Sequence, residues 1–249
     1  MRKMITNFYC DPANIKQDNL TIVGEEKKHI VSVLRHKKGD LIDVVNGVGN
    51  KYVVKIVDIA RNELRGEIVS REKVESEPRI CLTLAQSVCK GYKMDWVVEK
   101  ATEIGVCSII PLITEKTDVK IESGKKEKVK TERWKRKALS AMKQSLRSRL
   151  PVIEGAITLE ALLSRVREFD LALFGTLEAD AVKLKQKALF KNDPKRILAI
   201  VGPEAGFTGR ELRELSAAHA IGVDLGKRRL RAETAGILLA FLVLHELDQ

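Results

Sequence analysis

The sequence is poor in aromatic residues, cysteine and histidine, and it has no long apolar run. Each shortage excludes something. Aromatics make up 4% of a 249-residue chain that is 44% hydrophobic, so a sizeable core must be built mainly from aliphatic side chains. The longest apolar run near the C-terminus, residues 237–244, falls well short of the ~20 residues that a membrane-crossing helix needs. Residues 1–7 lack the apolar stretch of a signal peptide, so a cytoplasmic location is expected, with no membrane partner. Cys10, Cys81, Cys89 and Cys107 form no C-x-x-C pair, and no histidine is spaced to complete a zinc site. They read as reduced core thiols, and no metal is expected. His36, His219 and His245 likewise show no ligand spacing.

Basic charge, in contrast, is abundant. The net charge is +11 and the pI about 9.5. A polyanion is the expected partner, with nucleic acid ahead of a membrane surface. The charge is concentrated: residues 116–150 hold 13 Lys or Arg against 4 Asp or Glu, most of the excess in one stretch.

The patterning divides the chain in two. Residues 1–72 are β-rich. Residues 41–45 form a strand before the turn signal Asn46-Gly47, and further strands are expected at 52–57 and 64–69. Residues 29–34 read as a short helix. A small barrel is expected here, followed by a charged linker at 70–78 that closes on Pro78. From residue 73 to 249 strands and helices alternate, which implies a mostly parallel sheet covered on both faces. Strands are expected at 80–85, 106–110 (stopped at Pro111), 171–174, 197–201 and 223–225. Met94, Val97, Val98, Ala101 and Ile104 share one helical face, with Gly105 at the C-cap position. Thr208 and Glu211 fit a capping box, and residues 233–247 form a last helix. The lysine-rich segment 116–130 reads as a loop.

Two stretches carry the chemistry. The first, Val201-Gly202-Pro203-Glu204-Ala205-Gly206-Phe207-Thr208, takes a buried strand through a small-residue turn into a capped helix. Ligands of open α/β sheets bind at such strand ends, and the two glycines permit close backbone approach. Amides at the helix start would suit an anionic group. The second, Leu225-Gly226-Lys227-Arg228-Arg229-Leu230-Arg231-Ala232-Glu233, puts four cations between a strand end and a helix, with Glu233 in the first helical turn. Its arginines suit phosphate or a base edge. Alone, each stretch also fits an ordinary turn or basic loop.

Taken together, Gly-Pro-Glu-x-Gly-Phe-Thr and Leu-Gly-x-Arg-x-Leu-Arg-x-Glu-Thr-Ala resemble the ribosomal small-subunit RNA methyltransferases that make N3-methyluridine, a branch of the SPOUT superfamily. The blocks around His29 to Arg35, Lys90 to Val106 and Glu132 to Pro151 extend the resemblance over nearly the whole chain. It implies a PUA-like β-barrel domain (1–72) before an α/β methyltransferase domain (73–249) with a C-terminal trefoil knot, acting as a homodimer. It implies S-adenosylmethionine as cofactor and N3 of uridine 1498 of 16S rRNA, in the small ribosomal subunit, as the target. Carried over, the donor site comprises Phe174, Gly175, Val201, Gly202, Pro203, Glu204, Leu225, Gly226, Arg228, Arg229 and Leu230. The sequence departs from the family pattern at Asn7, Lys143, Ala205 and Arg229. Lys143 and Arg229 are expected to add charge near the RNA.

Methylation at N3 needs an unpaired base, loss of the imide proton and a cation near O2 or O4. Arg231 is the candidate for the cation and Glu233 for the base, with water as its rival. His29, Arg35, Lys90, Lys93, Arg133, Arg136, Lys137, Gln144 and Arg147 are the candidate RNA contacts, while Trp134, Ala138, Ala141, Met142 and Ser145 are expected to pack. Two alternatives stay open: a SPOUT ribose 2′-O-methyltransferase, and a non-enzymatic RNA-binding assembly factor.

Overall fold

A computed structural model describes residues 7–74, 76–118, 125–178, 181–183 and 190–247. Residues 1–6 and the centre of the expected lysine-rich loop, 119–124, lie outside them. The chain divides into two compact units, Met1–Glu77 with Leu139–Leu150, and Pro78–Ala138 with Pro151–Gln249.

The first unit is a six-stranded sheet around an aliphatic core. Its strands are β1 (Phe8–Tyr9), β2 (Ile15–Lys16), β3 (Asn19–Val23), β4 (Leu41–Val45), β5 (Asn50–Ile59) and β6 (Glu63–Lys73), in the order β1-β4-β5-β6-β3-β2. Only the β1–β4 pair is parallel. The hairpin predicted at Asn46 forms because its side-chain oxygen accepts the amides of Val48 and Asn50, both at 3.1 Å. Period-two alternation turns Tyr52, Val54 and Ile56 inward, against Leu20, Ile22 and Leu64. β5 and β6 approach so closely that a β-carbon at Gly66 would collide with Val54.

Helix α1 (Gly24–Lys28) starts earlier than the expected 29–34 segment and runs on as a π turn over His29–Val33. Glu25 and Glu26 lie in its first turn and Lys27 and Lys28 in its last, the arrangement that suits a helix dipole. Glu26 accepts the Tyr9 amide at 2.8 Å and pairs with Lys143 at 2.6 Å, so Lys143 is held as an internal ion pair rather than presented outward.

The expected linker is partly strand, because β6 continues to Lys73. Glu77 is also fixed. It pairs with Arg147 at 2.9 Å and accepts the amides of Ser148 and Arg149 at 2.7 and 2.8 Å.

The second unit is an eight-stranded parallel sheet. It contains β7 (Cys81–Ser87), α2 (Lys93–Ile104), β8 (Ser108–Ile113), α3 (Lys125–Gln144, whose last turn belongs to the first unit), β9 (Val152–Ile153), β10 (Ile157–Thr158), α4 (Leu159–Arg165), β11 (Leu171–Thr176), β12 (Val182–Lys183), β13 (Arg196–Val201), α5 (Gly209–Ala217), β14 (Ile221–Asp224) and α6 (Ala232–Leu247). The order is β10-β8-β7-β13-β11-β14-β12, with β9 also on β8. Residues 125–130, expected in a loop, are helix.

β8 does not stop at Pro111 but passes through it. In a parallel strand alternate residues bond to opposite neighbours. The Leu112 carbonyl accepts from Val88 and the Ile109 carbonyl from Glu154, so position 111 faces the outer side. There β9 pairs only 108–109 and β10 only 112–113, and no partner asks for the missing proline N–H.

Gly105 closes α2 at φ 109°, as its C-cap position predicts. Leu82, Leu84, Ile109, Ile110 and Leu112 are among the largest fully buried side chains, and no aromatic is. The scarcity of aromatic residues is met by aliphatic packing.

Candidate active site

β13, β11 and β14 are adjacent and parallel, so their C-terminal ends open at one sheet edge. After β13, Gly206 takes φ 71° and its amide returns to the Pro203 carbonyl at 2.8 Å. After β14, Gly226 takes φ 112° and its amide bonds the Asp224 carboxylate at 2.7 Å. An L side chain adopts neither conformation readily, which is why glycine stands at both. Between these turns lies a cavity of about 300 Å³ walled by residues 175–178, 201–207, 225–226 and 228–230, with Leu212, Ala232 and Ala235.

The expected donor residues Gly175, Val201, Gly202, Pro203, Glu204, Leu225, Gly226, Arg228, Arg229 and Leu230 all line this cavity. Phe174 does not. Strand alternation sends it into the core, edge-on to Phe207 at 6.3 Å between ring centres. Arg229 donates to the Glu204 carbonyl at 3.4 Å, and Lys116 reaches the Phe207 carbonyl at 3.3 Å, so both cations hold the turn in place.

The start of α5 is not the anion site that the sequence suggested. Thr208 and Glu211 satisfy one another's amides at 2.7 and 3.1 Å, and the other Glu211 oxygen accepts the Glu115 amide. A buried carboxylate therefore already occupies that helix end.

A second hollow, about 280 Å³, is lined by Tyr92, Lys93, Trp96, Arg231, Glu233 and Thr234. It joins the N-terminal ends of α2 and α6. Lys93 lies 3.0 Å from Glu204 and 3.9 Å from Glu233. Burial works to raise the Glu204 carboxyl, but a backbone amide and Lys93 outweigh it and hold the group below its ordinary value. The hydrogen bond to Glu204 in turn raises Lys93. Lys93, expected on the RNA, is thus engaged by two carboxylates. Glu233 is only 7% exposed, and its Oε2 has no hydrogen-bond partner among the described residues. Cys89 sits within 4.8 Å of both acids. Burial first, then Glu204 and Glu233, push its thiol up to about 12. It stays protonated at neutral pH.

The remaining expected RNA residues divide between the units. In the first, Arg35 and Gln144 are exposed, while His29 is half-buried and edge-on to Phe8 at 6.1 Å. Arg147 is the exception: it is 3% exposed and bound to Glu77, so it does not face solvent. The helix stops at Gln144 and Leu146 turns left-handed at φ 61°, which breaks the face that would have carried Arg147 outward. In the second unit Arg136 and Lys137 are exposed, Arg133 pairs with Asp95 at 2.8 Å and Lys90 with Asp118 at 2.7 Å. Trp134, Ala138, Ala141 and Met142 are buried as expected. Tyr92 and Trp96 went unnoticed in the sequence. The signal was there: Trp96 falls off the apolar face of α2 set by Met94, Val97, Val98 and Ala101.

With this geometry in hand, known proteins supply a frame. A family model described as an RNA methyltransferase domain matches residues 75–244, and one described as an RNA methyltransferase PUA domain matches residues 22–69. The chain is 34% identical over 240 residues to ribosomal RNA small subunit methyltransferase E of Aquifex aeolicus, covering 96% of this chain and 98% of that one. It is 30% identical to the protein of that name in Bacillus subtilis, covering 92% and 90%. A crystal structure of ribosomal RNA small subunit methyltransferase E from Neisseria gonorrhoeae, bound to S-adenosyl methionine, is similar with a TM-score of 0.84 at 26% identity, covering 98% of each chain.

Proposed function

Since the chain belongs to the RNA methyltransferase family that includes ribosomal RNA small subunit methyltransferase E, we propose that it methylates 16S rRNA from S-adenosylmethionine, at N3 of uridine 1498. The fold is the SPOUT type preceded by a PUA-like domain. The residues fit the donor. The cavity is of ligand size, its walls combine backbone and small or apolar side chains with the charged Glu178, Glu204, Arg228 and Arg229, and the positions a Cβ would extend from at Gly206 and Gly226 are open space. Gly175, residues 201–204, Leu225, Gly226 and residues 228–230 would hold the donor, which supplies an activated methyl group. Phe174 supports this site from behind, through Phe207.

The protein side of the reaction follows from the second hollow. Uridine N3–H is a weakly acidic imide between two carbonyls, and the nucleotide must leave its stack to be reached. The observation that carries the reading is the buried Oε2 of Glu233, with no hydrogen-bond partner among the described residues and Lys93 at 3.9 Å, in the same hollow as Arg231. Glu233 Oε2 accepts the N3 proton. Arg231, exposed and cationic, stabilises the negative charge that spreads to O2 or O4. Cys89 takes no part.

Residues 1–72 and 73–249 are assigned to RNA binding and catalysis. Arg35, His29 and Gln144 on one unit, and Lys90, Arg133, Arg136 and Lys137 on the other, contact RNA, and Lys93 reaches it from its place beside Glu204. A homodimer is supported by α6, which is apolar all round yet leaves Phe241 exposed and stacked on His245. A trefoil knot is supported by strand order. The chain skips a slot between β11 and β12, crosses back to β13, and β14 then fills the slot. No described helix is long and apolar enough to cross a membrane. A cytoplasmic location is proposed from the ribosomal RNA substrate that the relatives' name carries.

The test is to incubate the protein with labelled donor and small subunits that lack the modification, then map the product by mass spectrometry. Label on uridine N3 is the expected result. A ribose product, or no transfer, defeats the reading.

A further inference from the structure

The second hollow holds more than an acid and a cation. The protein has six Phe, three Tyr and two Trp. Among the described residues the exposed aromatics are Tyr92 (81%), Trp96 (42%) and Phe241, and two of these three border this one hollow. Trp96 lies off the buried face of its helix. Met94, Val97, Val98 and Ala101 bury the other face of α2, and the second tryptophan, Trp134, is buried. An exposed indole at a cleft mouth costs apolar exposure, and base stacking is a physical use for it.

The polar groups supply an edge to match. Uracil presents a donor, N3–H, flanked by two carbonyl acceptors. Its complement is an acceptor in the company of donors. Glu233 Oε2 is that acceptor, and Lys93 Nζ lies 3.9 Å from it with Arg231 in the same hollow. Lys93 has three donor hydrogens, so its bond to Glu204 leaves capacity for a carbonyl. Cytosine would bring a bare N3 lone pair against the carboxylate and an amino group against a cation. Both contacts are repulsive, and Glu233 is too buried for water to relieve them.

We propose that Trp96 is the platform on which the extruded base stacks, with Tyr92 at its margin, and that Lys93, Glu233 and Arg231 together select uracil over cytosine in this hollow. The assignment rests on the uridine-N3 reading above and adds to it the site and basis of base choice.

Two measurements on the full-length protein test it. In the first, Trp96→Ala and Trp96→Phe are compared with wild type for methyl transfer to small subunits lacking the modification, and for donor affinity by calorimetry. Loss of one stacking contact lowers kcat/KM by roughly 5- to 100-fold, chiefly through KM for the subunit. Donor affinity stays within about twofold by the same logic, and Phe restores most of the loss. Trp96→Ala activity within twofold of wild type overturns the proposal. So does a parallel loss of donor affinity, which would mark Trp96 as structural.

In the second, subunits carrying uridine or cytidine at the target are compared for binding, a readout that needs no turnover. Wild type is expected to favour uridine about tenfold or more, the scale of one unpaired buried polar group. Glu233→Gln, whose amide can donate to cytosine N3, narrows the preference to about threefold or less. Unchanged discrimination in Glu233→Gln overturns the proposal. The uridine-N3 reading fails separately, if the wild-type product maps to another atom whatever Trp96 does.

Discussion

The two hollows at the C-terminal edge of the parallel sheet are close in volume and opposite in construction. The cavity proposed for the donor is made mainly from turns after strand ends: backbone, glycine, proline and aliphatic side chains, with Phe207 and a few charged groups at its wall and the cations Arg229 and Lys116 holding carbonyls of that wall. The base hollow is made from side chains at the ends of two helices, with an aromatic pair, two cations and a buried acid. Shape selects in the first and charge with hydrogen bonding in the second. One residue, Glu204, belongs to both: it walls the donor cavity and ties Lys93 of the base hollow. On the roles proposed above, donor binding and base reading use separate groups joined at one ion pair.

The sharpest way to break that division is Arg231→Ala. If Arg231 acts only on charge developing in the base, kcat falls by about 10²- to 10³-fold, the scale of one lost stabilising donor, while donor affinity stays put. Single-turnover transfer and calorimetry read the two separately. Full turnover with unchanged RNA affinity would remove Arg231 from the mechanism, and a matching loss of donor affinity would merge the two hollows into one site. The reciprocal variant is Gly202→Val. A β-carbon there already lies 3.1 Å from the Phe207 ring, so the branches must displace the ring or enter the cavity. Overpacking of about 1–3 kcal/mol corresponds to a loss of roughly 5- to 150-fold in donor affinity. RNA affinity measured without donor should not change.

The same contrast explains what the sequence disclosed. The first cavity is walled mainly by three strand ends with the turns that follow them, so short consecutive runs carry much of it and the Gly-Pro-Glu and Leu-Gly-x-Arg segments were legible, while residues 176–178 and the helix residues Leu212, Ala232 and Ala235 were not. Phe174 and Gly175 were both expected at the cavity, and period-two alternation puts Gly175 there and Phe174 in the core. Strands and caps were legible for the same local reason: Asn46, Gly105 and Thr208 act within a few residues of themselves. Pro111 misled because its meaning depends on where β9 ends and β10 begins. Arg147 misled because its partner, Glu77, is remote in sequence and the helix carrying its face ends early. The base hollow draws on residues 92–96 and 231–234, which no local pattern connects. The sequence marks Arg231 and Glu233 as a pair and Lys93 as an RNA contact, and the fold brings all three into one hollow with Tyr92 and Trp96, which no motif singles out.

The link between the hollows can be tested with Lys93→Met. Removing the cation takes away the main outside support for the ionised Glu204, whose folded-state pKa then rises. A carboxylate held below its ordinary value contributes stability above its unfolded pKa and loses it as pH falls through its folded pKa. The wild type should therefore melt above Lys93→Met at neutral pH, by a few degrees at most for a part-exposed pair, and the gap should close as acid protonates Glu204. A gap of constant size down to low pH would mean that packing of the lysine stem, not its charge, couples the hollows.

The smallest effect is expected at Cys89, and it guards the mechanism from a rival. Its sulfur lies against Glu204 and Glu233 at the heart of the site, where a nucleophile would be placed. Two carboxylates and burial are the wrong surroundings for a thiolate, and push the thiol up to about 12. At pH 7 to 8 almost none is ionised, so Cys89 serves as a small, neutral filler. Cys89→Ala should keep methyl transfer within about twofold, and iodoacetamide should label Cys89 far more slowly than the exposed Cys81. A loss of tenfold or more in transfer, with donor affinity and melting temperature unchanged, would put sulfur chemistry into the base hollow and end the assignment of proton transfer to Glu233 alone.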